Sequence, residues 1–409
     1  MSQRKNSPLS SIWLKLLLAV ISACSTLLIL EIMVRFLPPP YSLETGQMFT
    51  CDPNLGWIGT PNFDGMFEGP NFKQHLNFNS IGMHDTEHSR SKSENIFRIL
   101  MLGDSFVQAI QVSEAETAHQ ILENQLNHGA AGKSYEVISG GVVNWGTNQQ
   151  LVYYREQGRN LNPNLVLLLF YIGNDFADNL PGNGLTIKGF NCYTPYFALC
   201  EDKLNPSPLA YAPGLSRIKG NCSPWRRWLI NVFGWLYQHS RLYQQLEPLL
   251  ATHWPRETFG QSYPLSYAAL YLPDNETELE TAWQVTEATI TQLRQEVEAD
   301  GARFAIVIIP PWSVVQLALL SPAEQEVFLQ ANSQFAQAQA DRPNRRLAQF
   351  LDSQTIPFID LTDQLVAYSA AHARIPLYIT GEGHWTVEGN RVVADILAEW
   401  LNQNSFAAE

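Results

Sequence analysis

Gly103-Asp104-Ser105-Phe106 sets a hydroxyl where a chain can use it. The apolar run from Phe97 to Leu102, broken only by Arg98, reads as a buried parallel-type strand. Downstream, Ser113-Glu114-Ala115-Glu116 has capping-box spacing. Ala118, Ile121, Leu122 and Gln125 continue it at helical intervals, which predicts a helix over 114–127. A serine on a turn between strand and helix is exposed for nucleophilic attack, and free amides beyond the turn can receive negative charge. Its hydroxyl needs a base within hydrogen-bond reach. His384 is the candidate. It follows the flexible turn Thr380-Gly381-Glu382-Gly383 and precedes Trp385 and a helical stretch carrying Val392, Val393, Ile396 and Leu397. Serine first and histidine last is one of the chain orders by which α/β folds unite such a pair.

The elements that must position these residues alternate. Strands are expected at 97–102, 135–138, 165–171, 303–309 and 356–360. Helices are expected near 114–127, 147–160, 276–299, 322–353 and 387–403. Such alternation implies a parallel sheet covered on both faces, with chemistry at the carboxyl ends of its strands. Residues 41–95, rich in Asn, Gly, Pro and aromatics, predict a β-rich lead-in of short strands and turns. His75, His84, Asp85 and His88 within it fit no zinc spacing and read as hydrogen-bonding groups. Residues 181–275 interrupt the alternation. They hold Cys192, Cys200, Cys222 and the tryptophans Trp225, Trp228, Trp235 and Trp254. Arg226-Arg227 beside these aromatics could meet a membrane surface, and exposed rings could stack on sugars; a small cap with its own aromatic core is the favoured reading.

The chain of 409 residues carries a net charge of −13, which argues against nucleic acid as a partner. No phosphate-binding glycine loop, HExxH or paired CxxC pattern supports a cofactor or metal. Ile12 to Leu37 is strongly apolar, with Lys15 and Arg35 placed to snorkel from either end of a span of about 20 residues. Glu31 would sit near an interface or pair with Arg35. Arg4, Lys5 and Lys15 lie on one side and the next basic residue after Arg35 is Lys73, so the positive-inside bias keeps the N-terminus cytoplasmic. A cleaved signal lacks an A-x-A site, a lipobox at Ile21–Cys24 is followed by a dozen more apolar residues, and a buried soluble helix is the third rival. Length and charge favour an anchor, which Pro38-Pro39-Pro40 terminates. Cys51, Cys192, Cys200 and Cys222 are compatible with two disulfides, Cys192 and Cys200 closing a short loop, or with four buried thiols.

Gly103-Asp104-Ser105 after the first strand resembles the first block of the GDSL, or SGNH, hydrolase family. Ser139–Thr147, Gly173-Asn174-Asp175 and Gly381–Trp385 resemble its later blocks, in order and approximate spacing, over roughly residues 96–180 and 300–402. The resemblance implies an α/β fold: a three-layer α/β/α arrangement around a mostly parallel five-stranded, flavodoxin-like sheet. To this the sequence adds an N-terminal transmembrane helix and an inserted cap. The expected division is 1–40 cytoplasmic tip and anchor, 41–95 lead-in, 96–180 first part of the hydrolase domain, 181–275 cap and 276–409 second part. The resemblance makes Ser105 the nucleophile and His384 its base. Glu382 stands where the family's acid usually lies, one methylene longer than the usual aspartate; the alternative is a Ser105–His384 dyad with a backbone carbonyl holding the ring. It implies an oxyanion hole from the Ser105 amide, the Asn174 side chain and a backbone N–H at Asn144 or Gly146, where Asn144 replaces the usual glycine and Gly141 also flanks it. Asp104 and Asp175 are expected to brace their turns. The expected function is a membrane-tethered, extracytoplasmic serine esterase acting on an ester, an O-acetylated glycan among the options. The alternatives are an O-acetyltransferase of envelope polysaccharide and a non-catalytic glycan-binding protein on the same fold.

Overall fold

The structure is a computed structural model that describes residues 8–36, 48–128, 134–180, parts of 194–246, 277–331, 342–372 and 375–406, apart from positions 53 and 70. Two hairpins open the body: β1 (Phe49–Asp52) with β2 (Gly56–Gly59), and β3 (Asp64–Gly69) with β4 (Phe72–Asn77). The central strands are β5 (Ile96–Gly103), β6 (Ser134–Gly141) and β7 (Leu165–Tyr171). The described part of the insertion contains β8 (Thr194–Tyr196), β9 (Leu199–Cys200), β10 (Lys203–Leu204) and β11 (Leu209–Tyr211), paired β8 with β11 and β9 with β10. Strands β12 (Arg303–Ile309) and β13 (Phe358–Asp360) complete a five-stranded sheet of order β13-β12-β7-β5-β6. Every pair in that sheet is parallel, so "mostly parallel" becomes all parallel.

Both faces of this sheet are dry, because its strands are apolar at consecutive positions. Leu100, Leu102, Leu168, Phe170, Ile306 and Ile308 face one core. Helices α4 (Thr147–Glu156), α6 (Thr277–Ala299) and α9 (Arg342–Ser353) close it, with Trp283, Ile290 and Leu347 among their contributions. Ile99, Met101, Leu167, Leu169, Val307 and Ile309 face the other, closed by α3 (Ala118–His128) and α11 (Val387–Gln403). Helix α1 (Pro8–Val34) stands apart: its Ile12–Val34 portion is long and apolar enough to cross a membrane and none of it is buried. The smaller helices are α2 (Ser105–Gln108), α5 (Asp175–Asp178), α7 (Trp312–Leu319), α8 (Pro322–Ala331) and α10 (Thr362–Ala371).

Register brings the useful strand ends together. Gly103 pairs with Gly141 and Tyr171 with Ile309, so the loops that follow leave one edge of the sheet. Strand order reverses between β5 and its neighbours, and such a switch point opens a crevice at the carboxyl ends.

Two differences from expectation have local causes. Glu116 does accept from the Ser113 amide and hydroxyl, at 3.2 and 2.6 Å, but the box closes a single 3₁₀ turn. Thr117 is extended there, so the α-helix starts at Ala118. Helix α4 stops at Glu156 and a second 3₁₀ turn, Gly158–Leu161, takes up the rest of the predicted 147–160 helix. The predicted 322–353 helix is described as α8 and α9, with 332–341 outside the described residues. Cys51 is disulfide-bonded and Cys24 free, which removes the reading of four unpaired thiols. The suggested Cys192–Cys200 loop, and most of the cap over 181–275, lie outside the described residues.

Arg98, the charge that interrupts β5, is fully buried. Its guanidinium donates to Glu136 at 2.7 Å, to the Ser89 carbonyl at 2.9 Å and to the Leu161 carbonyl. Removing one partner of a buried ion pair strands the other's charge and these carbonyls. Arg98→Ala is therefore expected to cost about 3–5 kcal/mol in urea unfolding, and Arg98→Met with Glu136→Leu distinctly less.

Candidate active site

Strand β5 ends at Gly103, where a side chain would drive into Val107 (2.4 Å from an added Cβ). The close approach lets the chain turn directly into α2. Asp104 caps that turn by accepting from the Phe106 amide at 2.9 Å. Ser105 is then the first helical residue, almost buried, with its hydroxyl at the edge of the sheet.

From the other end of the chain, Thr386 caps α11 by accepting from the Gly389 amide at 3.1 Å, which fixes the turn before it. Gly381 and Gly383 both have positive φ, +77° and +92°, and fold Glu382 back on His384. Glu382 Oε1 receives the imidazole Nδ1 at 2.6 Å and Oε2 receives the His384 amide at 2.9 Å. An ionised carboxylate only accepts, so Nδ1 carries the proton and Nε2 is left as an acceptor. Ser105 Oγ lies 2.6 Å from that Nε2. Residues 279 positions apart in sequence thus form one hydrogen-bonded chain. Glu382's extra methylene is taken up by the glycine-flanked bend. Burial pushes its carboxyl up, but the bonds and charge of His384, with help from Gln111 at 3.0 Å, outweigh that and hold it below the usual range.

Phe106 seats the imidazole. Its ring centroid lies 4.9 Å from that of His384 and 4.8 Å from that of Trp385. Three carboxyls crowd the opposite side. Asp175 Oδ2 accepts from the Tyr171 amide at 2.9 Å and Asp178 Oδ2 accepts from Asn174 Nδ2 at 2.8 Å. Burial lifts Asp104 to about 6 against the pull of the Phe106 amide, His384 and Asn174. Burial and the neighbouring Asp104 charge raise Asp175 and Asp178 well above the carboxylate range. Asn174, drawn to Asp178 and acting also on Asp104, therefore converges on the nucleophile turn; its Oδ1 is buried with no hydrogen-bond partner.

The remaining candidates separate. Asn144 sits in a turn closed by the Trp145 amide on the Val142 carbonyl, with φ +60°, and the neighbouring Val143 amide donates to Gln108 Oε1 of α2 at 2.9 Å. That turn is thus fastened to the nucleophile helix, and Asn144 keeps a place beside it. Gly146 does not: its amide donates to Gln149 Oε1 at 3.2 Å and it packs against Asp178 and Asn179, so it has no donor to offer an oxyanion. The lead-in braces the same region. Trp57 Nε1 donates to the Val143 carbonyl, Trp145 Nε1 to the Trp57 carbonyl, and Asn71 to the Thr380 carbonyl of the histidine turn. The lead-in histidines are structural: His84 bonds the Gln108 carbonyl at 2.8 Å, Asp85 accepts from the Ser139 amide and pairs with His88, and His75 pairs with Asp64. Among the described residues no cluster of His, Cys, Asp or Glu could hold a metal. Sequence reasoning missed Gln111, Phe106 and Asp178. Only Asp178 left a signal, as an acid four residues after Asn174 on a short helix.

No family model and no curated protein matches the chain. Solved structures do resemble it. An acylhydrolase from Bacteroides fragilis has 14% identity over 77% of this chain and 89% of its own, with TM-score 0.34. A GDSL-like lipase from Bacteroides thetaiotaomicron has 10% identity over 75% and 88%, with TM-score 0.33. An acetyl xylan esterase has 13% identity over 75% and 99%, with TM-score 0.37. The likeness is to GDSL-type acylhydrolases. At these identities and scores it decides nothing about activity, which must rest on the site itself.

The carboxyl cluster has a spectroscopic consequence. A carboxyl held protonated more tightly in the folded state than in the unfolded one loses stability as pH rises between its two pKa values. For Asp104 that window runs from 3.8 to about 6. Carbon-13 NMR of labelled aspartates is expected to show a carboxyl titrating near the upper limit, absent in Asp104→Asn; its persistence in that variant would contradict the assignment.

Proposed function

We propose that this protein is a membrane-tethered serine esterase working outside the cytoplasm. The reading is carried by the Ser105 Oγ–His384 Nε2–His384 Nδ1–Glu382 relay, with 2.6 Å at each junction. Nε2 takes the hydroxyl proton as Oγ bonds to the ester carbonyl carbon. The carbonyl π electrons move to oxygen, and the resulting anion needs donors aimed at one point. The Ser105 amide and the Asn144 amide serve, with the Asn174 side chain. A protonated Asp178 can donate to Asn174 Oδ1 once the amide turns over, which releases both Asn174 N–H groups toward the oxyanion. Collapse of the intermediate breaks the bond to the leaving oxygen, which takes its proton from His384. Water, deprotonated by the same imidazole, then attacks the acyl-enzyme and frees Ser105.

The substrate of this reading is an ester, an O-acetylated glycan among the options. The tethering rests on Ile12–Val34, long and apolar with none of it buried, and the orientation on the basic residues before it. The disulfide at Cys51 agrees with an oxidising compartment. The domain scheme, with hydrolase parts at 96–180 and 276–409 flanking an insertion, accompanies this reading. Glu382 reaches its target by a bend, so its departure from aspartate no longer speaks for a non-catalytic protein.

A fluorophosphonate is expected to label Ser105 of the full chain, and Ser105→Ala to abolish both labelling and hydrolysis of short acyl esters. Failure of a folded protein to label overturns the reading. Glu382→Gln should lower kcat by about 10³–10⁴, and Asn174→Ala by about 10²–10³. Asp178→Asn, which keeps a donor for Asn174 Oδ1, should retain more activity than Asp178→Ala. Equal losses in those two variants would remove the Asp178 step.

A further inference from the structure

The apolar helix does not end in open solvent. Glu31, in its last turn, pairs with Arg35 at 2.9 Å. The same carboxylate accepts from the Ser240 hydroxyl at 2.8 Å and from the backbone amides of Arg241 and Leu242 at 3.0 and 3.1 Å. Arg35 donates to the His239 carbonyl at 3.2 Å. His239 and Arg241 are helical and Ser240 between them is not. One ion pair therefore serves both sides of a helix break: Arg35 takes the carbonyl before it and Glu31 the amides after it.

This junction fixes a depth. At 1.5 Å per residue, the helix from Ile12 to Glu31 is about 29 Å long, the thickness of a bilayer's hydrocarbon core. Glu31 thus reaches the far headgroup layer, and residues 239–242, bonded to it, are held at that level. The aromatics close by in sequence are placed unlike a core. Trp228 is 63% exposed and Trp235 58%, with Trp235 stacked on His239 at 4.8 Å between centroids and 15° between planes. The expectation of a cap with its own aromatic core fails for these two. Tryptophan, with an apolar body and one N–H donor, is the residue of membrane–water boundaries.

We propose that Trp228, Trp235 and Ser240 lie in the headgroup layer of the bilayer crossed by α1. They form an interfacial foot joined to that helix through Glu31 and Arg35. This rests on reading α1 as a membrane span and adds a second membrane contact to it.

The test uses the full chain in phosphatidylcholine–phosphatidylglycerol nanodiscs bearing nitroxide lipids, shallow or deep. Emission of wild type minus that of Trp228→Phe/Trp235→Phe isolates the two indoles. The proposal expects this difference emission to be quenched at least about twofold more by the shallow label than by the deep one. Glu31→Ala should weaken that quenching and speed amide exchange at Arg241 and Leu242, while Glu31→Gln, which keeps an acceptor, should restore part of both. Water-like difference emission that neither label quenches overturns the foot, and so does protection of these indoles only in a detergent-solubilised dimer. Resistance to carbonate extraction is scored in parallel. A chain that washes off refutes the span and the foot together, whereas a chain that stays with unquenched indoles refutes the foot alone.

Discussion

Everything at the candidate site depends on a neutral imidazole keeping its unprotonated nitrogen against a serine hydroxyl. That requires the ring to be pinned from behind. A carboxylate that accepts from both the ring and the backbone of the same residue does so with two bonds of 2.6 and 2.9 Å. The sheet supplies the other half of the alignment. Parallel register sets the ends of β5, β6, β7 and β12 along one edge, so the nucleophile turn, the Asn144 turn and the Asn174 loop leave it side by side. Two apolar cores, one on each face, keep that edge from shifting, since a packed interior yields little to small displacements.

The polar groups behind the site are as tightly arranged as the apolar ones. Asp104, Asp175 and Asp178 are buried together with few compensating cations, and such groups resist ionisation. In the structure Asn174 is held by its nitrogen, which donates to Asp178, while its oxygen is buried without a partner. A second buried group, Asp85, is treated oppositely. His119 and His88 hold its carboxyl well below the ordinary range against the upward push of burial, and its bond to the Ser139 amide ties the lead-in to β6. The two clusters show one residue type pushed up where burial dominates and down where neighbouring histidines outweigh it.

Much of this was legible in the chain. Long apolar runs with few charges located all five strands, β7 and β12 to the residue, whereas β6 runs on to Gly141 where the reading stopped at 138, because its polar Ser139 and two glycines carry no apolar signal. Ser105 and His384 were legible from their turns, and Asn174 only through the resemblance of Gly173-Asn174-Asp175 to a family block. Helix α7 was not: Pro310-Pro311 reads as a break, and Trp312–Leu319 is too uniformly apolar to show a face. Helix α10 was hidden by its mixed Thr362–Ala371 composition, which lacks a strong stripe. Gly146 was misjudged because a glycine in sequence does not reveal whether its amide is already taken by a side chain three residues on. Gln111 gave no sign at all, since its partner is 271 residues away.

The glycines on either side of Glu382 have an implication for motion. Because the acid grips both ring and backbone of His384, acid and base form a single stiff unit that encloses Gly383, and the soft torsion outside it lies at Gly381. Jostling of this turn moves the pair as one body and leaves its internal proton register intact. The junction these bonds leave unclamped is the single one facing the serine.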